Sequence, residues 1–315
     1  MTYIQELREG MHIQQVFLCK QKVTGTTKAG KSYYSLKLQD KTGVMDGKVW
    51  ELSNSIEHFE ANDYIVTDGD VQSYNGAPQL NIRRIRRATP GEYDQKEFLP
   101  ASQLSVDDMF ESLLKLITKV EEPHLKALLA SFFEEDAEFI AEFKAHSAAK
   151  SVHHNFIGGL LQHTLRVTQL CYFYCQQYPV LNRDLLLTAA IFHDVGKLKE
   201  LSNFPDNDYT DAGQLIGHIV IGYSMVKERI EKIPDFPEKL KTELLHCILA
   251  HQGELEYGSP KKPSIIEALA LSYADDTDAK MEIMIEEFEK TTSADFLGLN
   301  KFLGTNIRKT SKTEN

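Results

Sequence analysis

The segment Ile191-Phe192-His193-Asp194-Val195-Gly196-Lys197 places an imidazole directly before a short carboxylate inside an apolar stretch. Imidazole nitrogens and carboxylate oxygens bind divalent transition metals, and an aspartate can bridge two ions. The dipeptide alone is weakly specific, but further potential ligands flank it on segments with helical patterning: His163, His218, His246, His251 and Asp275. This pattern predicts that the C-terminal half is a bundle of helices built around bound metal.

His163 lies in the apolar segment Gly158–Val167, whose helical pattern points the imidazole inward. A single histidine in such a helix is usually a core residue with satisfied hydrogen bonds. A second apolar segment carries His193 and Asp194, however, and burying two imidazoles and a carboxylate without partners is costly. A cation removes that cost, so we expect these three residues to share a metal ion.

Asp275 and Asp278 are three residues apart and therefore share one face of a helix. We expect Asp275 to complete the first site and Asp278 to have a supporting or structural role. A single ion would then have four ligands: His163, His193, Asp194 and Asp275.

A second ion requires further ligands, and His218 with either His246 or His251 supplies them if Asp194 bridges the two ions. Two metals can bind a phosphate on both sides and generate hydroxide near neutral pH, which phosphodiester hydrolysis requires. Lys197 is placed to hold a phosphate. The alternative for Lys197 is a solvated lysine at a helix end.

The composition is that of an ordinary globular protein with room for two domains in 315 residues. Apolar runs are far shorter than the roughly 20 residues of a membrane span. The start of the chain lacks the basic and apolar pattern of a leader. We therefore expect a cytoplasmic protein without a membrane partner. The four cysteines show no Cys-x-x-Cys spacing and are expected to be buried free thiols.

The chain is acidic, with 35 basic and 46 acidic side chains. Residues 1–98 carry equal numbers of each, so the excess of negative charge lies in the C-terminal part. Such a balance is unusual for a protein that binds duplex DNA. Local basic surface can still contact phosphates, and the densest basic patch is Arg83, Arg84, Arg86 and Arg87, which could also be an exposed strand end.

Residues 1–90 have the pattern of a small β-barrel. Five short segments rich in Val, Ile, Tyr and Leu are bounded mostly by turn signals: Val16–Cys19, Tyr33–Leu38, Val44–Trp50, Tyr64–Val71 and Gln79–Ile85. The pair Asn75-Gly76 supplies the positive φ angles of a tight hairpin. The pattern resembles an OB-fold, a five-stranded barrel that presents one face to single-stranded nucleic acid.

Aromatic and basic side chains on the predicted strands are candidates for contacts with nucleic acid. The expected stacking residues are Tyr33, Tyr34, Trp50 and Tyr74, and the expected phosphate partners are Lys48, Arg83, Arg84 and Arg86. Each aromatic could instead fill the interior of the barrel.

Residues 91–147 are predicted to be a linker followed by accessory helices. The stretch 89–104 is polar, contains prolines and glycine, and suggests a mobile linker. Ser105 is the expected N-cap of an amphipathic helix, and a second one follows Pro123. The fold class is thus α+β multidomain, with an all-α metal-binding domain at 148–305 and a disordered tail at 306–315.

The order His, His-Asp, His, His, Asp resembles the HD superfamily of metal-dependent phosphohydrolases. Longer segments are similar to the YhaM family of 3'-5' exoribonucleases: Gly158–Thr164, His193–Lys197, Gly217-His218, Ala250–Pro260 and Asp278–Met281. In that family an OB-type domain precedes an HD domain, so the likeness covers nearly the whole chain. It implies stepwise removal of nucleotides from the 3' end of single-stranded RNA, and often DNA, in the bacterial cytoplasm. Manganese or cobalt is the favoured metal, with iron(II) and magnesium as alternatives.

The resemblance also implies metal ligands at six positions, with His246 as a further one: His163, His193, Asp194, His218, His251 and Asp275. One departure is Gln252, because the family pattern has a second histidine before the glycine here. Gln is a poorer ligand than imidazole. It either weakens the second site or lies outside the ligand sphere. His153 and His154 are candidates for substrate contact or supplementary ligation.

Two alternative functions stay open. The chain could hydrolyse small or cyclic nucleotides, with the barrel as a regulatory or oligomerisation module. It could also be a binding protein for nucleic acid with a vestigial metal site. Metal number, preference between RNA and DNA, and formation of a homo-oligomer stay open as well.

Overall fold

Five N-terminal strands close into a barrel in the computed structural model, which describes residues 1–99, 104–150, 156–289 and 295–310. The strands are β1 His12–Thr26, β2 Ser32–Asp40, β3 Gly43–Val49, β4 Tyr64–Tyr74 and β5 Ala77–Arg87. Their order is β1-β2-β3-β5-β4, and the parallel pair β3 and β5 joins antiparallel pairs. The prediction of an OB-type barrel is confirmed.

The interior of the barrel follows from the alternation of side chains along its strands. In β2, Leu36 and Leu38 point into the core, whereas Lys37 between them is exposed. The hairpin between β4 and β5 turns at Asn75 and Gly76, whose φ angles are 51° and 79°. The turn predicted from Asn-Gly is therefore present, because both positions adopt the positive φ that the tight turn needs.

The segment after the barrel packs against it, so the expected mobile linker is wrong for residues 92–99. The ring of Tyr93 stacks on that of Tyr64 with centroids 4.0 Å apart, and Phe98 lies edge-on to Tyr64. The side-chain amide of Gln39 donates to the carbonyl of Phe98 at 3.0 Å. Aromatic rings far apart in the chain meet only in the folded barrel, and burying them outweighs the polar character of the segment.

Ten α-helices follow the barrel within the described ranges. They are α1 Val106–Ile117, α2 Pro123–Phe133, α3 Ala137–Ala145, α4 Gly159–Gln177, α5 Arg183–Phe192, α6 Lys197–Glu200, α7 Asp211–Leu215, α8 His218–Ile230, α9 Glu238–Ala250 and α10 Ile266–Glu289. The side chain of Ser105 accepts a hydrogen bond from the Asp108 amide, as expected of an N-cap. Helices α1–α3 share one apolar core with α4, α5, α8, α9 and α10.

A short hairpin follows the last helix. It pairs β6 Leu299–Asn300 with β7 Thr305–Asn306, and the buried Ile307 accepts a backbone hydrogen bond from Leu297 at 2.9 Å. The predicted disordered tail is therefore wrong at its first residues, because Ile307 has an apolar side chain to bury. Residues 311–315 lie outside the described ranges.

The chain forms two compact units divided near residue 101, and the short segment Phe204–Asp206 belongs with the first. The barrel forms the first unit and the helices form the second. Within the described ranges, every helix is too short or too polar to cross a lipid bilayer.

Candidate metal centre

Histidine and aspartate side chains from several helices converge inside the second unit. Five helices carry these side chains: His163 lies in α4, His193 and Asp194 at the end of α5, His218 at the start of α8, His251 at the end of α9, and Asp275 in α10. All are buried except His218, which is partly exposed. Residues separated by more than 100 positions therefore form one polar cluster within an apolar bundle.

The first half of the cluster lies on the Oδ2 side of Asp194. The Nε2 atom of His163 is 3.2 Å from Nε2 of His193, 3.1 Å from Oδ1 of Asp275 and 3.4 Å from Oδ2 of Asp194. These four side chains are the set predicted for a single ion. The ligand atoms of His163, His193 and Asp194 all lie within 4.8 Å of one another, and Asp275 Oδ1 approaches the two imidazoles at 3.1 and 3.9 Å.

The second half lies on the opposite oxygen of the same aspartate. Oδ1 of Asp194 is 3.5 Å from Nε2 of His218 and 3.6 Å from Nε2 of His251. Among the described residues, neither Asp194 Oδ1 nor His218 Nε2 has a hydrogen-bond partner, although both atoms are buried. Buried polar atoms without partners are costly, and an ion between them would satisfy both. The donor atoms in both halves would therefore suit a divalent metal, and Asp194 offers one carboxylate oxygen to each half.

Each imidazole of the cluster is held by its other nitrogen. The Nδ1 atoms of His193 and His251 lie 2.7 Å from backbone carbonyls, those of Ala190 and Ile248. The remaining two rings use carboxylates: His163 Nδ1 is 2.7 Å from Asp278 and His218 Nδ1 is 2.9 Å from Glu200. A proton on Nδ1 leaves the Nε2 lone pair free to bind metal, so all four rings are oriented as ligands.

Electrostatics sets different protonation states within the cluster. Burial would lower the pKa of His163, but the three aspartates around it outweigh burial and raise this pKa well above its usual value. Burial lowers the pKa of His193, and it lowers the pKa of His251 to about 4 with a further contribution from His193. His193 and His251 are therefore neutral near pH 7, the state in which imidazole binds metal.

The two central carboxylates are ionised. Burial would raise the pKa of Asp194, but Lys197 and His193 lower it well below its usual value. Burial would likewise raise the pKa of Asp275, but the hydrogen bond with His163 lowers it to about 2. The cluster thus contains two anionic oxygen donors for a cation.

Lys197 lies beside the central aspartate, with Nζ 2.7 Å from Asp194 Oδ2. Burial would lower the pKa of Lys197, but Asp194 raises it, so the side chain is an ammonium ion. The side chain is 13% exposed. This position next to the cluster excludes the solvated lysine that was the alternative.

Two of the residues predicted near the site have other contacts, and two lie outside the described ranges. His246 is outside the cluster, because its Nε2 accepts a hydrogen bond from the backbone of Ser264 at 2.9 Å. His251, five residues further on, is the histidine of this segment that lies with the other candidate ligands. The side-chain amide of Gln252 is 3.4 Å from Nε2 of His251, at the rim of the cluster. His153 and His154 lie outside the described residues.

Gly196 sets the distance between the aspartate and α8. A β-carbon at this position would lie 2.0 Å from the carbonyl oxygen of His218 and 2.5 Å from the amide nitrogen of Gly222. Only a glycine lets the two backbones approach so closely. Gly196, two residues after Asp194, therefore lets the start of α8 approach, and His218 comes with it to the side chain of Asp194.

Comparison with known proteins agrees with this geometry. The HD domain family matches residues 160–280. The 3'-5' exoribonuclease YhaM of Bacillus velezensis is 33% identical over 289 residues, covering 91% of both chains. The enzyme of the same name from Bacillus subtilis is 34% identical with the same coverage. That from Geobacillus sp. is 34% identical over 91% of this chain and 88% of its own.

The chain belongs to the YhaM family. Its likeness to relatives spans both units, so the barrel and the metal cluster belong to one family architecture. Among solved structures, the second OB-fold domain of replication protein A from Methanococcus maripaludis aligns with 28% of this chain and 94% of its own at 20% identity. Its TM-score of 0.23 is too low to support a functional inference.

The barrel of this YhaM-family chain carries an aromatic pair at its surface, formed by the exposed Trp50 and the partly buried Tyr33. The rings of Tyr33 and Trp50 have centroids 5.0 Å apart, and the ammonium of Lys48 lies 5.6 Å from the Tyr33 ring. Tyr74 is exposed on the hairpin, and Tyr34 is partly buried edge-on to the buried Phe59. Tyr33, Trp50 and Lys48 are thus the grouped candidates, while Tyr34 helps to fill the interior.

The arginine patch is largely compensated by carboxylates. Arg83 pairs with Asp70, Arg86 binds Glu92 through two hydrogen bonds of 2.7 Å, and Arg87 lies 2.9 Å from Asp63. Arg84 is exposed and opposite Asp68 in the strand register. A phosphate would have to compete with these acidic partners, so the patch is less basic than its sequence indicates.

One residue of the metal centre was missed in the sequence. Glu200 lies at the end of α6 and contacts His218, which is 18 positions further along the chain. Neither helical periodicity nor a short motif links two residues at that distance. The neighbours of Glu200 in sequence include Lys199 and Ser202, so no local pattern marks it as a buried residue.

Proposed function

We propose that this protein is a metal-dependent 3'-5' exoribonuclease that releases nucleoside monophosphates from the 3' end of single-stranded RNA, with single-stranded DNA as a second substrate. The observation that carries this proposal is the buried cluster divided by Asp194 into two sets of ligand atoms. The relatives that cover most of the chain are named 3'-5' exoribonucleases, which supports the same reaction. RNA as substrate also favours a cytoplasmic location.

We propose that the residues holding the metal are His163, His193, Asp194, His218, His251 and Asp275. Four imidazoles with two carboxylates form a mixed donor set that suits a borderline metal such as manganese, cobalt or iron better than magnesium, which prefers oxygen alone. When bound, two such ions act as Lewis acids on the scissile phosphate and lower the pKa of water.

The protein residues have three tasks in this reaction. Asp278 and Glu200 hold two imidazoles with Nε2 directed into the cluster. The apolar helices around the cluster limit access of bulk water. Lys197 provides a fixed positive charge beside Asp194, where it can bind a non-bridging phosphate oxygen as charge develops.

The barrel is proposed to bind the RNA strand. Stacking of bases on Tyr33 and Trp50 is independent of sequence, because every base has a π-face. Lys48 can contact a phosphate beside the pair. Arg83, Arg86 and Arg87 of the barrel have acidic partners, so stacking is expected to contribute more than charge.

The test is a degradation assay on single-stranded RNA labelled at its 5' end, with manganese and with chelator. We expect a ladder of labelled products that shorten stepwise, and no products with chelator. Asp275→Asn should abolish the ladder, whereas Asp276→Asn should retain it, because Asp276 is exposed and pairs with Lys280. Immediate release of a labelled mononucleotide would instead indicate attack from the 5' end.

Two further substrates separate this proposal from its alternatives. A circular RNA of the same sequence should stay intact, because it has no 3' end. Hydrolysis of free or cyclic nucleotides with intact RNA would contradict the proposal and favour a small-molecule phosphohydrolase. Binding of RNA with no hydrolysis of any of these substrates would favour a binding protein.

A further inference from the structure

Glu200 makes a double contact with one imidazole of the metal centre. A single oxygen, Oε1, accepts hydrogen bonds from the backbone amide and from Nδ1 of His218, both at 2.9 Å. The side chain of Glu200 is 11% exposed. Burial would raise its pKa, but the hydrogen bond with His218 lowers it, so Glu200 is a carboxylate. It therefore determines both where α8 begins and which nitrogen of His218 carries the proton.

The backbone of Glu200 is fixed as well. Its carbonyl accepts a hydrogen bond from the amide of Thr210 at 2.9 Å, and its amide donates to the carbonyl of Gly196 at 3.0 Å. The carboxylate is therefore held on a rigid turn that starts directly after the His-Asp pair. A group anchored in this way orients its partner rather than following it.

The two halves of the cluster have the same internal asymmetry. Each contains one imidazole held by a carbonyl and one held by a carboxylate: His193 with His163 in the first half, and His251 with His218 in the second. A carboxylate makes the imidazole a stronger ligand than a carbonyl does. Each half thus depends on one carboxylate outside the ligand set, Asp278 in the first and Glu200 in the second.

The second half depends on its carboxylate more strongly. His163 of the first half is also surrounded by Asp194 and Asp275, whereas His218 Nε2 lies 3.5 Å from one carboxylate, Asp194, and has no hydrogen-bond partner among the described residues. Without Glu200, both donors of His218 lose their acceptor. The ring can then rotate or place its proton on Nε2, where it blocks coordination.

We propose that Glu200 is the positioning residue for the second metal ion, and that it controls occupancy of the half-site formed by Asp194 Oδ1, His218 and His251. This inference rests on the metal centre of the proposed function. The two ions are then bound with unequal affinity, and the ion at the half-site of His218 and His251 is lost first when Glu200 is changed.

The test is a titration of the metal-free protein with manganese, in which calorimetry and electron paramagnetic resonance measure the binding of each ion. The parent should bind two ions, the second with spin coupling to the first. Glu200→Ala should weaken the second ion about 10- to 100-fold and leave the first nearly unchanged. Glu200→Gln retains an acceptor oxygen and should have a smaller effect. Asp278→Asn should weaken the first ion instead.

Glu267→Gln is the matched control, because Glu267 is also buried and accepts a backbone hydrogen bond, from Asn182, outside the cluster. It should bind both ions as the parent does. Circular dichroism of each metal-free variant verifies folding, and Glu200→Gln provides the measurement if Glu200→Ala does not fold.

Two ions of unchanged affinity in folded Glu200→Ala would overturn the inference while leaving the proposed function intact. If Glu200→Ala does not fold, unchanged affinity of both ions in Glu200→Gln would overturn it in the same way. Equal weakening of both ions in these variants would overturn it too. A parent that binds no manganese would overturn both the inference and the proposed metal-dependent reaction.

Discussion

Asp194 presents its two carboxylate oxygens to different sets of imidazoles: Oδ2 lies 3.4 Å from His163 Nε2 and Oδ1 lies 3.5 Å from His218 Nε2. One short side chain therefore joins two ligand sets carried by helices that are far apart in the sequence. This relationship makes the centre sensitive both to the loss of ligands and to small movements of α8.

Metal should stabilise the second unit against heat. The cluster buries ionised carboxylates whose repulsion a divalent cation relieves. Ligand at 100 times its dissociation constant stabilises the native state by about 2.7 kcal/mol. Differential scanning calorimetry with manganese and with chelator should show a rise in Tm of roughly 5–10 °C. Asp275→Asn should reduce the rise and Asp276→Asn should not; equal rises in both variants would contradict binding at the cluster.

Gly196→Ala should damage the centre without touching a ligand. The backbone dihedrals of Gly196, φ −65° and ψ −18°, suit any residue, so the effect would be purely steric. Because the new methyl group would meet backbone atoms of α8, we expect a loss of roughly 1–3 kcal/mol in unfolding free energy and weaker binding of metal. Urea unfolding and manganese titration measure the two effects.

Gly43→Ala is the control for this change, since its β-carbon would meet nothing closer than Ile4 at 4.0 Å. It should leave metal binding unchanged. A Gly196→Ala protein with the stability and metal affinity of the parent would show that α8 can shift freely.

Trp50 should report the binding of RNA by its fluorescence, because it is the only tryptophan in the chain and is exposed beside Tyr33. Stacking of a base on the pair should quench its emission. Tyr33→Ala should weaken binding of single-stranded RNA by about 1–3 kcal/mol. Tyr178→Ala removes an exposed aromatic side chain of the helical unit and should leave the affinity for RNA unchanged. No change in emission at saturating RNA would argue against stacking at this pair.

The cysteines should be unreactive in the native protein at pH 8. Burial raises the pKa of Cys19 to about 12 and also raises the pKa values of Cys171, Cys175 and Cys247. The thiolate is the reactive form, so alkylation should be slow and should accelerate only as pH rises further. Mass spectrometry should find four alkylated thiols in denaturant and at most Cys175, the least buried, in the native state. Rapid native labelling of Cys19 would contradict this.

Local patterns were sufficient where neighbouring residues determine the structure. Alternation around Leu36 and Leu38 predicts strand β2. Asn75-Gly76 predicts the tight turn between β4 and β5, and Ser105 predicts the start of α1. All three features are present. Local patterns failed at residues 92–99, which are polar in sequence but carry the rings of Tyr93 and Phe98 onto the barrel.

The choice between His246 and His251 shows why spacing alone was insufficient at the metal centre. Five residues of helix correspond to a rotation of about 140°, so the two rings point in different directions. Both have apolar neighbours in sequence, and periodicity therefore favours neither. Only the packing of α9 against the other helices directs His251 towards Asp194 and leaves His246 bound to the Ser264 backbone.

The sequence by itself determined the elements, the order of the two units and the kinds of side chain that bind metal, because helical periodicity, strand alternation and ligand chemistry are local properties. The tertiary structure alone decided that Asp194 divides the ligands into two sets, and that Glu200 and Asp278 orient the imidazoles. Such contacts join residues up to 115 positions apart, and their geometry depends on how whole helices pack.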